Sequence, residues 1–335
     1  MKDFTLQLQC WQDCNLDCLH CWRDAKFDKV KLNLNIMENH ITELYDHMLK
    51  KGIETFDLKI SWWEPFLYIN DIIQLLDNLN ITKKTKLRIY ILTNGTLINE
   101  ETIGLLEKYK EQLYFQISID WLKEIHNKIR WEWTFEISYK NALKLHNKWF
   151  KVKLQAVINE HNIKQLRQII KLFCLSPMPY FQIRKTILLG KSKDIKKNNA
   201  IIKKMYNTIA DMLPYIEEHQ KKIRLWCDSG PAIRINNKLE KIISKCGVLS
   251  QVLLGIEPNW DIVVCPRLPI KIGNIYKDNI INVVEKNYKE KIETFKSSNK
   301  CLSCDYYNKC QWWDLCSTYS HYNNLEWNTP LLCSQ

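Results

Sequence analysis

The chain has 335 residues, 46% apolar and 26% charged. This is a globular composition, with no apolar run of the roughly 18 residues that would mark a membrane span. The N-terminus MKDFTLQLQC lacks a basic stretch followed by an apolar one, so no signal peptide is read. A cytoplasmic protein without a membrane partner is expected. The 49 basic residues exceed the 37 acidic ones, a formal charge of +12, which favours acidic partners such as nucleic acid or an acidic peptide. A chain rich in Lys, Ile and Asn is equally what an AT-rich gene would encode.

In chain order, strand-like runs fall at Thr5–Gln9, Thr55–Ser61, Leu87–Leu92, Tyr114–Ile119, Val152–Ile158 and Tyr180–Leu188. Helical patterns alternate with them at Ile36–Lys50, Asn70–Leu79, Asn99–Tyr109, Phe135–Lys148 and Ile163–Phe173. Repeats of this kind predict a parallel sheet with crossover helices. Their even rhythm suits a curved, partial (β/α)6 barrel better than a two-halved dinucleotide fold, and places functional residues at the carboxyl ends of strands. A helix over Asn198–Lys222, with Pro214 inside it, is predicted to close this part. The expected organisation is a barrel over residues 1–197, a linking helix over 198–225 and a small cysteine-rich domain over 226–335. That last region has too little apolar sequence for a large core of its own, so bound metal is expected to organise it.

Thirteen cysteines, an odd number without an export signal, argue for metal or iron–sulfur ligation rather than a disulfide framework. Four lie within residues 10–21 and seven within 246–333, with Cys174 and Cys227 between. The first group reads Cys14-x3-Cys18-x2-Cys21 and follows the first strand directly. Three thiolates on one loop leave one iron of a [4Fe–4S] cluster open, whereas structural zinc takes four protein ligands. A zinc knuckle completed by Cys10 or His20 is the alternative, although Cys10 closes an alternating strand and reads as a core cysteine.

This motif resembles the signature of the radical S-adenosylmethionine (SAM) superfamily. The resemblance implies that the open iron chelates the amino and carboxylate groups of SAM. It also implies that the residue before the third cysteine, here His20, lies beside the adenine, with Trp22 one position beyond the cluster. Trp62-Trp63-Glu64-Pro65 closes the second strand where the superfamily has Gly-Gly-Glu-Pro around the methionine amino group. Asn94 closes the third strand. Ser118 and Asp120 close the fourth, near where the family contacts ribose, and Arg184 on the sixth is a candidate for the SAM carboxylate. The implied chemistry is reductive cleavage of SAM to methionine and a 5′-deoxyadenosyl radical, which takes a hydrogen atom from the substrate.

The later cysteines resemble the SPASM extension of radical SAM peptide-modifying enzymes over about residues 246–335. The pattern departs at Cys310-x5-Cys316, where a three-residue gap is usual. Carried over, Cys246, Cys265 and Cys316 would hold one auxiliary [4Fe–4S] cluster, with Cys227 a candidate to complete it. Cys301, Cys304, Cys310 and Cys333 would hold a second. Paired zinc sites are the alternative here. The implied substrate is a peptide or small protein, and the implied electron donor a ferredoxin or flavodoxin. Pro266 stands where the sulfatase-maturing members have Asp, which disfavours formylglycine formation. With the motif beginning at residue 14, a separate peptide-recognition protein or the barrel itself would select the substrate. A zinc-dependent nucleic-acid-binding protein and a catalytically inactive Fe–S homologue, acting in peptide binding or electron transfer, are the competing readings.

Only 8 glycines stand beside 13 tryptophans, where a chain of this length averages about 23 glycines. Tryptophan stands where the family or local geometry asks for glycine at 62, 63, 121, 131, 133, 149, 260, 312 and 313. Trp149 follows a helix where a left-handed cap is usual, and Asn259-Trp260 sits where Asn-Gly would make a type I′ hairpin turn. The expectation is a gene that encodes glycine by UGA, read as tryptophan.

Overall fold

The computed structural model describes residues 3–9, 13–21, 33–61, 64–120, 122–194, 199–225, 230–244, 246–297, 299–310, 315–323, 325–328 and 333. Expected positions Cys10, Trp22, Trp62, Trp63, Trp121, Cys227, Trp312 and Trp313 lie outside them.

The six predicted strands appear as β1 (Asp3–Leu8), β2 (Thr55–Ser61), β3 (Leu87–Thr93), β4 (Leu113–Ser118), β5 (Lys151–Ile158) and β6 (Tyr180–Lys185). Each pairs in parallel with the next. The crossovers are α1 (Leu34–Lys50), α2 (Ile69–Asn78), α3 (Glu100–Leu106), α4 (Lys123–Arg130), α5 (Thr134–Asn147) and α6 (Leu166–Leu175). Helix α4 escaped the sequence reading because its eight residues KEIHNKIR carry too few apolar positions to show a period. The last long helix, α7, runs Asn199–Glu218 with Pro214 inside it. It stops short of Lys222, which opens a seventh parallel strand, β7 (Lys222–Leu225), against β6.

Three further strands, β8 (Leu253–Ile256), β9 (Asp261–Cys265) and β10 (Leu268–Asn274), extend the same sheet at its other edge. β8 runs parallel to β1, so the cysteine-rich region shares a sheet with the barrel. The order is β10-β9-β8-β1-β2-β3-β4-β5-β6-β7, a mostly parallel α/β sheet.

Alternation along the strands divides the sheet into two faces. In β3, Leu87, Ile89 and Ile91 are buried while Arg88, Tyr90 and Leu92 are half-exposed on the other side. In β1, Phe4, Leu6 and Leu8 are fully buried and Thr5 and Gln7 are not. The apolar face forms the core with buried residues of the crossover helices, Met37, Leu44, Leu75 and Phe173 among them. Gln7, Lys59, Gln116, Lys153 and Gln155, from the other face, line an open cavity. Among the described residues no helix is long and apolar enough to cross a membrane.

The four described tryptophans of the expected glycine set all have positive φ: Trp131 155°, Trp133 66°, Trp149 67° and Trp260 70°. Trp149 closes a Schellman motif on α5, its N–H donating to His146 O at 2.9 Å and Phe150 N–H to Leu145 O at 3.1 Å. The β8–β9 turn corrects the expected type I′ geometry. Trp260 N–H donates to Glu257 O at 2.9 Å, and in this turn Trp260, not Asn259, is left-handed. This is a turn followed by a left-handed bulge residue, which makes the same demand for glycine at 260.

Candidate active site

The Cys14–Cys21 loop lies across the carboxyl ends of the strands and is pinned at every turn. Glu64 N–H donates to Asp13 O at 3.1 Å, Leu19 N–H to Ile129 O at 3.0 Å and Ser192 N–H to Cys21 O at 3.0 Å. Asn15 donates through Nδ2 to Thr96 Oγ1 at 2.8 Å and accepts on Oδ1 from Asn94 Nδ2 at 2.9 Å. Lys191 pairs with Asp17. Loop residues are thereby fixed to the ends of β2, β3 and β6 and to α4.

The strongest anchor is buried. Asp120, fully enclosed after β4, takes His20 Nε2 at 2.8 Å and Arg130 Nε at 2.6 Å on one oxygen and Val157 N–H at 2.9 Å on the other. Burial alone would push this carboxyl up, but Arg130 and His20 outweigh it and hold it far below the carboxylate range. Arg130 in turn stands 3.9 Å from Cys18 Sγ. His126 accepts the Asp120 N–H on Nδ1 at 3.2 Å, and burial followed by the Arg130 charge pulls it down to about 3, so it stays neutral. Asp120→Asn should cost about 3–5 kcal/mol of stability by stranding Arg130. It should also lower iron retention about 10–100-fold; chemical denaturation and iron stoichiometry test both.

Glu64 is a tie of the same kind. Its carboxylate accepts from Thr93 Oγ1 at 2.6 Å, Asn94 N–H at 2.8 Å and Phe66 N–H at 3.1 Å, binding the end of β2 to that of β3. Burial raises it to about 7. Glu64, Pro65 and Asp120, expected beside the cofactor, are not among the residues lining the cavity; the Glu64 and Asp120 carboxylates bond to neighbouring strand ends, and Pro65 is buried at the start of a short helix. His20, Asn94, Ser118 and Arg184 do line it. The sequence reading missed Arg130, Lys59, Lys153 and Lys185, which also line it. The signal for Lys59 and Lys153 was a polar residue between apolar ones in a strand, as in Leu58-Lys59-Ile60 and Val152-Lys153-Leu154; Arg130 and Lys185 carried none.

Cys14, Cys18 and Cys21 all line this cavity, and so do Cys265 and Cys316. Burial pushes the Cys14 thiol up to about 11 and the Cys18 thiol to about 12, so metal loading there releases protons. Cys265 is instead lowered to about 7, chiefly by its hydrogen bond with Cys316 and also by Arg267. Cys333, Cys304 and Cys301 gather around Arg234, whose pKa is raised by its bond to Cys333. Among the described residues no disulfide joins the cysteines. Among the described residues no three His, Cys, Asp or Glu side chains are drawn close enough to chelate an ion. The donor set nevertheless suits a cluster with one open iron. Cys14, Cys18 and Cys21 line one cavity and a cation stands 3.9 Å from Cys18 Sγ.

Residues 8–173 match the radical SAM superfamily. The chain carries a radical SAM domain. Over 118 residues it is 30% identical to the antilisterial bacteriocin subtilosin biosynthesis protein AlbA of Bacillus subtilis, covering 35% of this chain and 24% of that protein. Over 162 residues it is 28% identical to Fe-coproporphyrin III synthase of Methanosarcina barkeri, covering 48% of this chain and 38% of that one. The chain thus spans well under half the length of the curated relatives it matches. Among solved structures, anSMEcpe with bound AdoMet and Cp18Cys peptide superposes with a TM-score of 0.69 at 18% identity, over 94% of this chain and 88% of that one. Streptococcus suis SuiB bound to precursor peptide SuiA gives 0.74 at 18% identity, over 100% of this chain and 76% of that one. At such identities these likenesses establish the radical SAM fold across the chain, including the cysteine-rich region.

Proposed function

We propose that this chain is a peptide-modifying radical SAM enzyme with a SPASM-type C-terminal region, acting in the cytoplasm on a peptide or small-protein substrate. The observation that carries the reading is that one cavity is lined both by Cys14, Cys18 and Cys21 and by Cys265 and Cys316. A substrate seated there is reached from both cysteine groups. AlbA, by its name a bacteriocin biosynthesis protein, and SuiB, solved with a precursor peptide, support the peptide class.

Cys14, Cys18 and Cys21 would hold a [4Fe–4S] cluster. Cys246, Cys265 and Cys316, with Cys227, would hold one auxiliary cluster, and Cys301, Cys304, Cys310 and Cys333 another. The cluster at Cys14, Cys18 and Cys21, with SAM bound, would supply reductive SAM cleavage and hydrogen-atom abstraction from the substrate. The chain's own part is positioning. Arg130 offsets thiolate charge beside Cys18, Asp120 fixes His20 beside the SAM site, and Asn94, Ser118 and Arg184 offer polar contacts on the cavity wall. A ferredoxin or flavodoxin would deliver electrons, and a separate recognition protein could present the peptide.

We also propose that the tryptophans at 62, 63, 121, 131, 133, 149, 260, 312 and 313 are glycines in the native protein, encoded by UGA. The four left-handed or extended positive-φ backbones support this, since such dihedrals are ordinary only for glycine. Peptide mass spectrometry of the native protein over residues 59–75 and 131–138 tests it, and UGG codons at these positions would refute it. Genuine indoles at 62 and 63 would favour the inactive, peptide-binding homologue. With glycine there, anaerobic reconstitution should give iron-dependent release of 5′-deoxyadenosine; its absence would remove the enzyme reading.

A further inference from the structure

Three glutamines stand on consecutive strands, each between two core residues: Phe115-Gln116-Ile117 in β4, Leu154-Gln155-Ala156 in β5 and Phe181-Gln182-Ile183 in β6. The alternation that sends the flanking apolar side chains into the core turns the amides to the opposite face of the sheet. All three are nonetheless buried, only 4%, 8% and 5% exposed. Gln116 and Gln155 line the cavity. Gln155 is the direct register partner of Ser118 on β4 and of Gln182 on β6, so it shares a face with both at a strand spacing of about 4.8 Å. Gln155 Oε1 and Gln182 Oε1 are buried without a hydrogen-bond partner among the described residues. Although they are neighbours, neither amide serves the oxygen of the other. Gln7, by contrast, is committed within the protein, donating through Nε2 to Ser61 Oγ at 2.6 Å. A buried amide oxygen left without a donor costs free energy, which a bound N–H removes. A carboxamide carries donors and acceptors together, so its full complement is another uncharged amide. A cationic guest would call for a carboxylate, and the acid among the described lining residues, Asp17, pairs with Lys191.

We propose that Gln155 and Gln182, with Gln116 on the next strand, form an amide seat that hydrogen-bonds an uncharged amide of the peptide substrate, either a side-chain carboxamide or a backbone peptide group. The proposal rests on the peptide-modifying reading above and deepens it: the segment to be modified is held in the cavity by neutral hydrogen bonds. Half a turn of Gln155 about its last side-chain bond exchanges Oε1 and Nε2, so one residue offers the guest an acceptor and a donor. The three glutamines are positioning residues and take no part in making or breaking bonds.

The test measures, by calorimetry on the full reconstituted chain with SAM, the binding of three probes: N-acetylglutamine methylamide, N-acetylalanine methylamide and the ester methyl N-acetylalaninate. The ester should bind about tenfold more weakly than the glutamine probe. If the seat takes a side chain, the alanine amide falls with the ester; if it takes backbone, the alanine amide binds like the glutamine probe. Gln155→Met and Gln116→Met should each reduce the tenfold difference to about threefold or less, with SAM affinity unchanged. Gln155→Met should also raise the melting temperature of the probe-free chain by about 2 °C or more, because an unsatisfied buried amide is removed. Equal binding of all three probes by the wild-type chain would overturn the seat, while SAM cleavage would leave the enzyme reading standing. A Gln155→Met chain that keeps the tenfold difference would overturn it too. So would one that loses SAM affinity, since the amide would then serve the cofactor. A melting temperature unchanged or lowered would mean that the amide is already satisfied within the free protein, and the seat would lose its basis. A chain that discriminates the probes yet never releases 5′-deoxyadenosine would uphold the seat and reject the enzyme reading.

Discussion

Replacing Trp131, Trp133, Trp149 and Trp260 together by glycine should raise the melting temperature by roughly 5–15 °C. Each of the four holds a positive φ, which costs a side-chain-bearing residue about 1–3 kcal/mol. Glycine gives back about 0.5–1 kcal/mol through the entropy of the unfolded chain, so the net gain is about 0.5–2 kcal/mol per site. Trp131, Trp133 and Trp149 are 64%, 66% and 83% exposed, so little packing is lost with their rings. Trp260 should gain least, because its ring meets Tyr276 edge-on at 5.3 Å. Trp327, in a strand and outside the set, provides the control: there glycine should lower stability. A quadruple variant no more stable than its parent would mean that the backbone tolerates indoles at these four places, and recoding would lose its structural support.

Cys18→Ala should abolish SAM cleavage by about a thousandfold or more, the equivalent of about 4 kcal/mol or more of transition-state stabilisation. Three thiols are the fewest that hold a cluster with one open iron, so losing one releases the group rather than weakening it. Iron stoichiometry and the visible absorbance should fall with activity. Cys316→Ala should behave differently: with Cys14, Cys18 and Cys21 intact, SAM cleavage should persist while peptide modification falls. Cys174, buried in α6 and apart from the cavity, is the control, and Cys174→Ala should cost about 1 kcal/mol of stability with iron unchanged. If Cys18→Ala retained iron and cleavage, another ligand set would have to be sought.

The strands and most of the crossover helices were legible because their apolar residues recur with periods that only one secondary structure satisfies. β2 was bounded to the residue, Thr55–Ser61, and six of its seven residues are buried. Boundaries slipped where polar residues continue a pattern: α7 was carried on to Lys222, which belongs to β7. The joining of β8 to β1 could not be read at all, because nothing local records which distant strand an edge will accept. In the site, the cysteines announced themselves by spacing. Asp120 and Glu64 were legible as important positions, but their work as buried ties depends on Arg130, Thr93 and Val157, partners brought near by the fold alone. Lys59 on β2 and Lys153 on β5 lie far apart in sequence, and only the sheet brings both near one ring, that of Tyr90.

The pairing of β1 with β8 also governs how the protein can be made. The register Thr5↔Leu253 to Leu8↔Ile256 joins segments about 250 positions apart, among the longest separations in the chain. During synthesis at about 5–20 residues per second, β1 waits until three-quarters of the chain has been produced before its second edge is covered. Until then its N–H and C=O groups on that side stay open to other strands. The cysteine loop that follows β1 hangs from this late-closing strand, so iron delivery should come after the last strands dock. Truncation before residue 253 should leave an aggregation-prone barrel rather than a smaller working enzyme.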